Sequence, residues 1–190
     1  MERIGEVIAA TTVEIQGESY QLHNPPPLGS LVKTGGIYGV VHYAATESLD
    51  PGRPAIARGG EEREEADIFL HHPQLASLFR TTFRALAVGH SIDGKIYHFL
   101  PPRPAHVHSF VYLCSSEEVA AFTGSLDFLS LLLSASVPVA REELVAACLR
   151  QAATAQPSAS AFLLQAGREL ATRLGEDWAS LSSILKRLRE

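Results

Sequence analysis

Glycine and proline divide the first 112 residues of the chain into short segments, and this punctuation constrains the fold more than any other feature. The segments between the breaks are rich in β-branched and aromatic residues, as in "RIGEVIAATTVEI", "GGIYGVVHY" and "FRALAVGH". Short strands separated by regular turn signals are typical of a small antiparallel barrel or sandwich. Because proline cannot donate a ladder hydrogen bond, the prolines at 25–27 are expected in a connection or at a sheet edge. We therefore predict a small antiparallel β-barrel or sandwich over residues 1–112.

The pattern changes to helical spacing from Ser115 onward. Ser115 and Glu118 have the spacing of a capping box, and Gly175 follows a long amphipathic segment as a C-cap. Apolar residues recur every three or four positions, which favours four or five helices. The predicted fold class is therefore α+β, with this antiparallel barrel or sandwich over residues 1–112 and a helical bundle over residues 113–190.

Two other segments of the first half have specific predictions. The stretch "HPQLASLFR" fits one short helix that starts at Pro73, and "AHVHSFVYLC" fits the last strand. The acidic run "EEREEAD" at residues 61–67 fits a solvated loop.

The stretch "GHSIDGKI" at residues 89–96 differs by one residue from a phosphate-binding loop. Such a loop needs Ser or Thr after its lysine and a helix that begins there, but Lys95 is followed by Ile96 and an aromatic, β-branched segment. Asp93-Gly94 between two strands is instead a strong signal for a β-hairpin turn. We therefore predict a hairpin and no ATP hydrolysis.

Composition limits the class of protein. The net charge is −5 with 19% charged residues, whereas a chain devoted to nucleic acid would normally be basic. Two cysteines, Cys114 and Cys148, are too few for a disulfide scaffold and indicate buried thiols in a reducing compartment. No signal peptide and no uninterrupted membrane-spanning segment is evident. We therefore predict a cytoplasmic protein without a membrane interaction.

The arginines are the candidate binding residues, because guanidinium groups recognise phosphate and carboxylate groups. They would contact either nucleic acid or the acidic surface of a partner protein, or else form separate surface salt bridges. The candidates are Arg53, Arg58, Arg80, Arg84 and Arg103.

The histidines offer a weaker alternative. If His106 and His108 lay on one strand they would share a face, and His98 could supply a third ligand to a metal ion. No carboxylate stands at a supporting spacing, so no metal site, cofactor or catalytic residue is assigned.

The glycine and proline spacing of the first half resembles that of the HAS barrel. This small barrel is shared by HerA-type DNA translocases and the α and β subunits of ATP synthase. The resemblance is carried by "IGEVIAATTVEI", "PPLGSLVKTGGIYGVV" and "SLDPGRPAIARG", and it covers about the first 110 residues. In translocases the barrel precedes an ATPase domain, for which residues 113–190 leave too little room. The resemblance therefore implies a role in docking or assembly.

The favoured interpretation is a non-enzymatic assembly or adaptor protein, associated with a HerA-type translocating ATPase or its nuclease partner. A metal-dependent enzyme and a nucleic-acid-binding barrel remain as alternatives. The last segment carries Trp178, Leu181, Leu185 and Leu188 on one stripe, which favours a homo-oligomer, with a dimer preferred over a ring.

Overall fold

The computed structural model describes residues 2–57, 60 and 64–189. The first half of this part of the chain is mainly strand and the second half is helical. The strands are β1 (Glu2–Ala10), β2 (Glu14–Ser19), β3 (Leu31–Thr34), β4 (Ile37–Ser48), β5 (Phe79–Ile92), β6 (Lys95–Tyr97) and β7 (Phe110–Leu113). The helices are α1 (Glu65–His71), a 3₁₀ helix (Pro73–Ser77), α2 (Ser116–Phe122), α3 (Leu129–Ser134), α4 (Arg141–Thr154), α5 (Ala159–Leu174) and α6 (Trp178–Arg187).

The strands form one antiparallel sheet that closes on itself. Their order is β2-β1-β7-β3-β4-β5-β6, and β2 also pairs with β5, from Glu14 opposite Leu86 to Glu18 opposite Thr82. β6 pairs with the last residues of β5, beyond the segment that β2 occupies. We call this closed arrangement the strand ring. The predicted order of a β-rich half followed by helices is confirmed.

The interior of the strand ring is a small apolar core. It is filled by side chains that alternate along the strands with outward-facing ones, as the pleat requires. Its largest member is Phe83, which is fully buried. The other members are Val7, Ile15, Val32, Ile37, Val41, Ala85, Ala87 and Val111.

A second core lies between the outer face of the ring and the helices. Tyr38 and Val40 of β4 belong to it, and the ring of Tyr38 lies 4.7 Å from that of Phe122 in α2. From the helical side, Phe128, Leu129 and Leu132 are buried in this core, and Leu133 packs against it partly buried. The two halves of the chain are therefore joined by one continuous apolar contact.

The predicted capping box is present at the start of α2. The backbone N–H of Glu118 donates to the Ser115 hydroxyl, and the Glu118 carboxylate accepts from the Ser115 N–H. Helix α5 ends at Leu174, and its C-cap is the predicted Gly175, which has a φ of 57°. No helix within the described ranges is long and apolar enough to cross a membrane.

The segment between β4 and β5 corrects two predictions. The 3₁₀ helix starts at Pro73 but ends at Ser77, and Phe79 already belongs to β5. The reason is tertiary, because this end of β5 pairs along its whole length with β4. Within the acidic run, Glu65 begins α1 and not a loop, while residues 61–63 lie outside the described residues.

The prediction of a long last strand was also wrong. β7 covers only Phe110–Leu113, because residues 106–109 form a turn in which the Ser109 N–H donates to the His106 carbonyl oxygen. His108 has a φ of 66° in this turn, which a strand does not allow. His106 and His108 therefore do not share a strand face.

Candidate functional site

The five candidate arginines do not converge on one surface. Arg53 and Arg80 lie near the far end of the β4–β5 pair, each beside a carboxylate. Arg53 Nε is 3.6 Å from Asp50 Oδ2, and Arg80 donates to Glu47 Oε1 at 2.9 Å. Arg58 lies outside the described residues.

Arg84 and Arg103 lie farther along the molecule. The guanidinium of Arg84 sits over the ring of Tyr43, 5.6 Å from its centroid, and 4.0 Å from a Glu14 oxygen. Arg103 lines a cleft beside Ile37, at the opposite end of β4 from Arg53 and Arg80. Because β4 is twelve residues long, these ends are roughly 35 Å apart. One continuous arginine groove for a nucleic-acid strand is therefore not formed by the described arginines.

The candidate histidines are also separated by their contacts. His98 is held by the Phe122 carbonyl oxygen, 2.8 Å from its Nε2, and packs against the Phe122 ring. His108 Nδ1 is 3.0 Å from Glu6 Oε1 at the surface. Within residues 2–57, 60 and 64–189 no group of three or more His, Cys, Asp or Glu side chains could hold a metal ion. The described residues therefore offer no place for the metal ion of the histidine hypothesis.

The stretch that resembles a phosphate-binding loop is the predicted hairpin turn. Ile92 pairs with Lys95, and the two residues between them have positive φ, 50° at Asp93 and 77° at Gly94. Lys95 begins β6 instead of a helix, and its ammonium lies 5.2 Å from the Tyr97 ring centroid. The helix N-terminus that would bind a phosphate does not follow this lysine.

The two thiols are buried and line one pocket of 210 Å³ between the ring and the helices, which is open to the surface. Burial raises the pKa of Cys114 to about 12 and that of Cys148 to about 12. A thiol, unlike a thiolate, is a poor nucleophile, so these residues fit a packing role.

The outer edge of β4 is the feature that the sequence did not reveal. β3 pairs with β4 from Ile37 to Val40, and the backbone of Gly29 and Ser30 hydrogen-bonds to Val41. From Tyr43 onward no described strand pairs with β4 on that side. The Leu49 N–H donates to the Leu78 carbonyl oxygen across the β4–β5 pair. Because antiparallel strands alternate, the backbone groups of every second residue before Leu49 also face β5. Those of Ala44, Thr46 and Ser48 consequently face outward.

No described residue hydrogen-bonds to the outward N–H and C=O groups of Ala44, Thr46 and Ser48. The side-chain contacts agree with this register, since Thr46 and Thr81 lie opposite each other with their hydroxyls 2.8 Å apart. We call the segment Tyr43 to Ser48 the open edge of β4. Such an edge is a template for pairing with another chain.

An apolar groove of 680 Å³ lies at the end of the open edge. Leu49, Ile56 and Leu78 line it and are 50%, 72% and 51% exposed. Phe69 and Leu70 of α1, on the same β4–β5 connection, are exposed as well. Contiguous exposed apolar side chains of this kind mark interaction surfaces.

No model of a known protein family matches the chain, and no curated protein matches it either.

Proposed function

We propose that this chain is a non-enzymatic adaptor whose open β4 edge binds an extended segment of a partner protein. The observation that carries the proposal is the row of outward N–H and C=O groups at Ala44, Thr46 and Ser48, to which no described residue hydrogen-bonds, beside an apolar groove. An extended segment that adds to a free edge gains main-chain hydrogen bonds from the edge and specificity from side-chain pockets.

The groove supplies the apolar part of this recognition. A partner side chain that covered Leu49, Ile56 and Leu78 would remove from water apolar surface that the chain leaves exposed. Fully burying one leucine or isoleucine side chain contributes about 1.5–3 kcal/mol to the hydrophobic free energy. The edge sets the direction and register of the partner segment, and the groove adds affinity at one end of it.

Charge is not the main attraction at this surface. Arg53 and Arg80, the described cations there, already have Asp50 and Glu47 as partners. A nucleic-acid phosphate would have to displace these carboxylates, and the net charge of −5 opposes its approach. These contacts favour a protein partner over nucleic acid.

The resemblance to the HAS barrel suggests the class of partner. Barrels of this type occur in ring-forming translocases, so we propose a HerA-type DNA-translocating ATPase, or the nuclease that works with it, in the cytoplasm. In this proposal the first half is a HAS-like barrel that the helical half follows.

The test compares two substitutions of Ala44. Ala44→Pro removes one outward N–H of the open edge, and proline is tolerated at sheet edges. Ala44→Ser keeps that N–H and is the matched control. Affinity purification with mass spectrometry would identify proteins bound to the wild-type chain, and the purified pair would then be titrated.

We expect the identified partner to bind the wild-type chain and Ala44→Ser alike and to bind Ala44→Pro about tenfold more weakly, the loss of one hydrogen bond. Ile56→Asp, in the groove, should also weaken binding. Circular dichroism would confirm that each variant folds. Equal binding by wild type, Ala44→Pro and Ile56→Asp would refute the proposal.

A further inference from the structure

A second surface lies at the opposite end of β4 from the open edge. It is a cleft of 340 Å³ between the β3–β4 turn, the end of β5 and the proline-rich segment at residues 101–109. We call it the Arg103 cleft. Its polar side chains are His90, Ser91, Arg103, His106 and Ser109, and prolines and isoleucines form most of the remainder. None of the residues that line it is acidic.

Arg103 is the cation of this cleft, and it is free to bind a ligand. Among the described residues of the strands and their connections, every other arginine or lysine has a carboxylate or an aromatic ring as its partner. Arg103 has neither, although the chain carries an excess of acidic residues. The prolines on either side of Arg103 limit the backbone freedom of the segment that presents it.

His90 is the buried polar group of the cleft. The residue is only 5% exposed, and its ring packs against those of Tyr97 and Phe99, with centroids 5.5 Å and 5.1 Å away. Its Nδ1 is 3.2 Å from the Phe99 carbonyl oxygen. A carbonyl oxygen only accepts, so Nδ1 carries the hydrogen of this bond. No described protein group bonds to Nε2, so this atom is left to interact with a ligand or with water.

From these observations we infer that the Arg103 cleft binds a small organic anion through its phosphate or carboxylate group. The guanidinium of Arg103 can hold two oxygens of such a group at once, which an ammonium cannot. The exposed His106 and the Ser109 hydroxyl line the same cleft and can donate further hydrogen bonds. The apolar wall around Ile37 and Ile92 would cover the body of the ligand, and 340 Å³ falls at the lower end of the range for small-molecule sites.

This inference is independent of the proposed adaptor function, because the cleft shares no residue with the open edge of β4 or the apolar groove. Either proposal can fail while the other stands.

The test uses three probes that share one aromatic ring. Phenyl phosphate and benzoate carry the two oxyanions, and benzyl alcohol is the neutral control. Each would be titrated into the isotope-labelled protein and followed by NMR through the amide signals of Gly35, Gly36 and Ser91. Arg103→Gln removes the charge, and Arg103→Lys keeps the charge but loses the two-pronged geometry. Arg168→Gln, at an exposed position of α5, is the matched control.

We expect at least one anion to bind with shifts confined to the cleft, and benzyl alcohol to bind far more weakly. Binding of phenyl phosphate alone would identify a phosphate ligand, binding of benzoate alone a carboxylate ligand, and binding of both a site for either oxyanion. Arg103→Gln should weaken binding by about tenfold or more, Arg103→Lys by less, and Arg168→Gln not at all. The inference is overturned if neither anion binds, if benzyl alcohol binds equally well, or if Arg103→Gln has no effect.

Discussion

At the scale of single residues, His42 is the clearest case of a titratable group that the fold controls. The residue is 2% exposed, and its Nε2 lies 2.9 Å from Glu14 Oε2. Nδ1 is buried and has no partner among the described residues. Desolvation lowers the pKa of His42 below its ordinary value of 6.5, and the nearby charge of Arg84 acts in the same direction, although the hydrogen bond to Glu14 opposes the shift. His42 is therefore neutral at pH 7, with Nε2 donating to the Glu14 carboxylate.

This lowered pKa makes the stability of the fold depend on pH. As the pH falls below 6.5, His42 takes up a proton in the unfolded chain before it does so in the folded one. The free energy of unfolding should consequently decrease as the pH falls from about 6.5 to the lowered pKa of His42. Above pH 6.5 the whole contribution of His42 to stability should be present. Urea unfolding at a series of pH values would measure it. His42→Gln should flatten this part of the profile, whereas profiles that stay parallel for wild type and variant would contradict the expectation.

At the scale of elements, the sequence predicted best the structures that local chemistry determines. The turn at Asp93-Gly94 and the capping box at Ser115 depend on residues within four positions of each other, and both are present. The predicted lengths of β5 and β7 were wrong, because the length of each strand depends on its pairing with a strand distant in sequence. For the same reason no local pattern could reveal the open edge, which exists because β3 is shorter than β4. Among the described candidate arginines, only Arg103 both lines a cleft and has no carboxylate or aromatic partner.

The contact between the strand ring and α4 depends on one glycine. Gly29 has a φ of 82°, and a Cβ built there would lie 2.4 Å from the Ala147 carbonyl carbon in the α4 backbone. Gly94 has a similar φ of 77°, but no atom lies within 4 Å of a Cβ built at that position. Substitutions at Gly94 and Gly29 can therefore be compared to separate the cost of backbone strain from the added cost of a steric clash.

We expect Gly94→Ala to lower the free energy of unfolding by about 1–2 kcal/mol, the cost of a left-handed conformation for an L-residue. Gly29→Ala should cost about 1–3 kcal/mol more, because helix backbone cannot move aside as a flexible side chain can. Chemical denaturation of both variants would measure the difference. Equal losses would show that α4 does not press on Gly29.

At the scale of the whole molecule, the chain exposes more surface than a compact monomer of its mass. Its accessible surface is 10844 Å², whereas a monomer of 20.5 kDa typically exposes roughly 8,900 Å². The excess of roughly 2,000 Å² is more than the roughly 800 Å² that each partner buries in a standard specific interface. The open β4 edge and its apolar groove account for one exposed region, and the start of α6 offers another.

The packing of α6 changes which residues we expect to mediate self-association. Most of the stripe predicted as a subunit interface packs within the chain itself, since Leu181 is buried and Leu185 and Leu188 are partly buried against the same core. Helix α6 packs against α4 and α5. Trp178 alone leaves it, with 69% of the residue exposed. A large exposed aromatic residue at the start of a helix is a favourable anchor for a second copy. We therefore expect a dimer that forms through Trp178.

Light scattering coupled to size-exclusion chromatography should give twice the monomer mass of 20.5 kDa. Trp178→Asp should give a folded monomer, because the residue contributes little to the core, whereas Leu181→Asp should prevent folding by placing a charge in it. Ala44→Pro should leave the dimer intact, since the open edge of β4 is proposed to bind a different protein. A wild-type monomer at micromolar concentration would refute self-association alone. Loss of the dimer in Ala44→Pro, with Trp178→Asp still dimeric, would instead show that a second copy of the chain occupies the open edge, and the proposed adaptor surface would then be a self-interface.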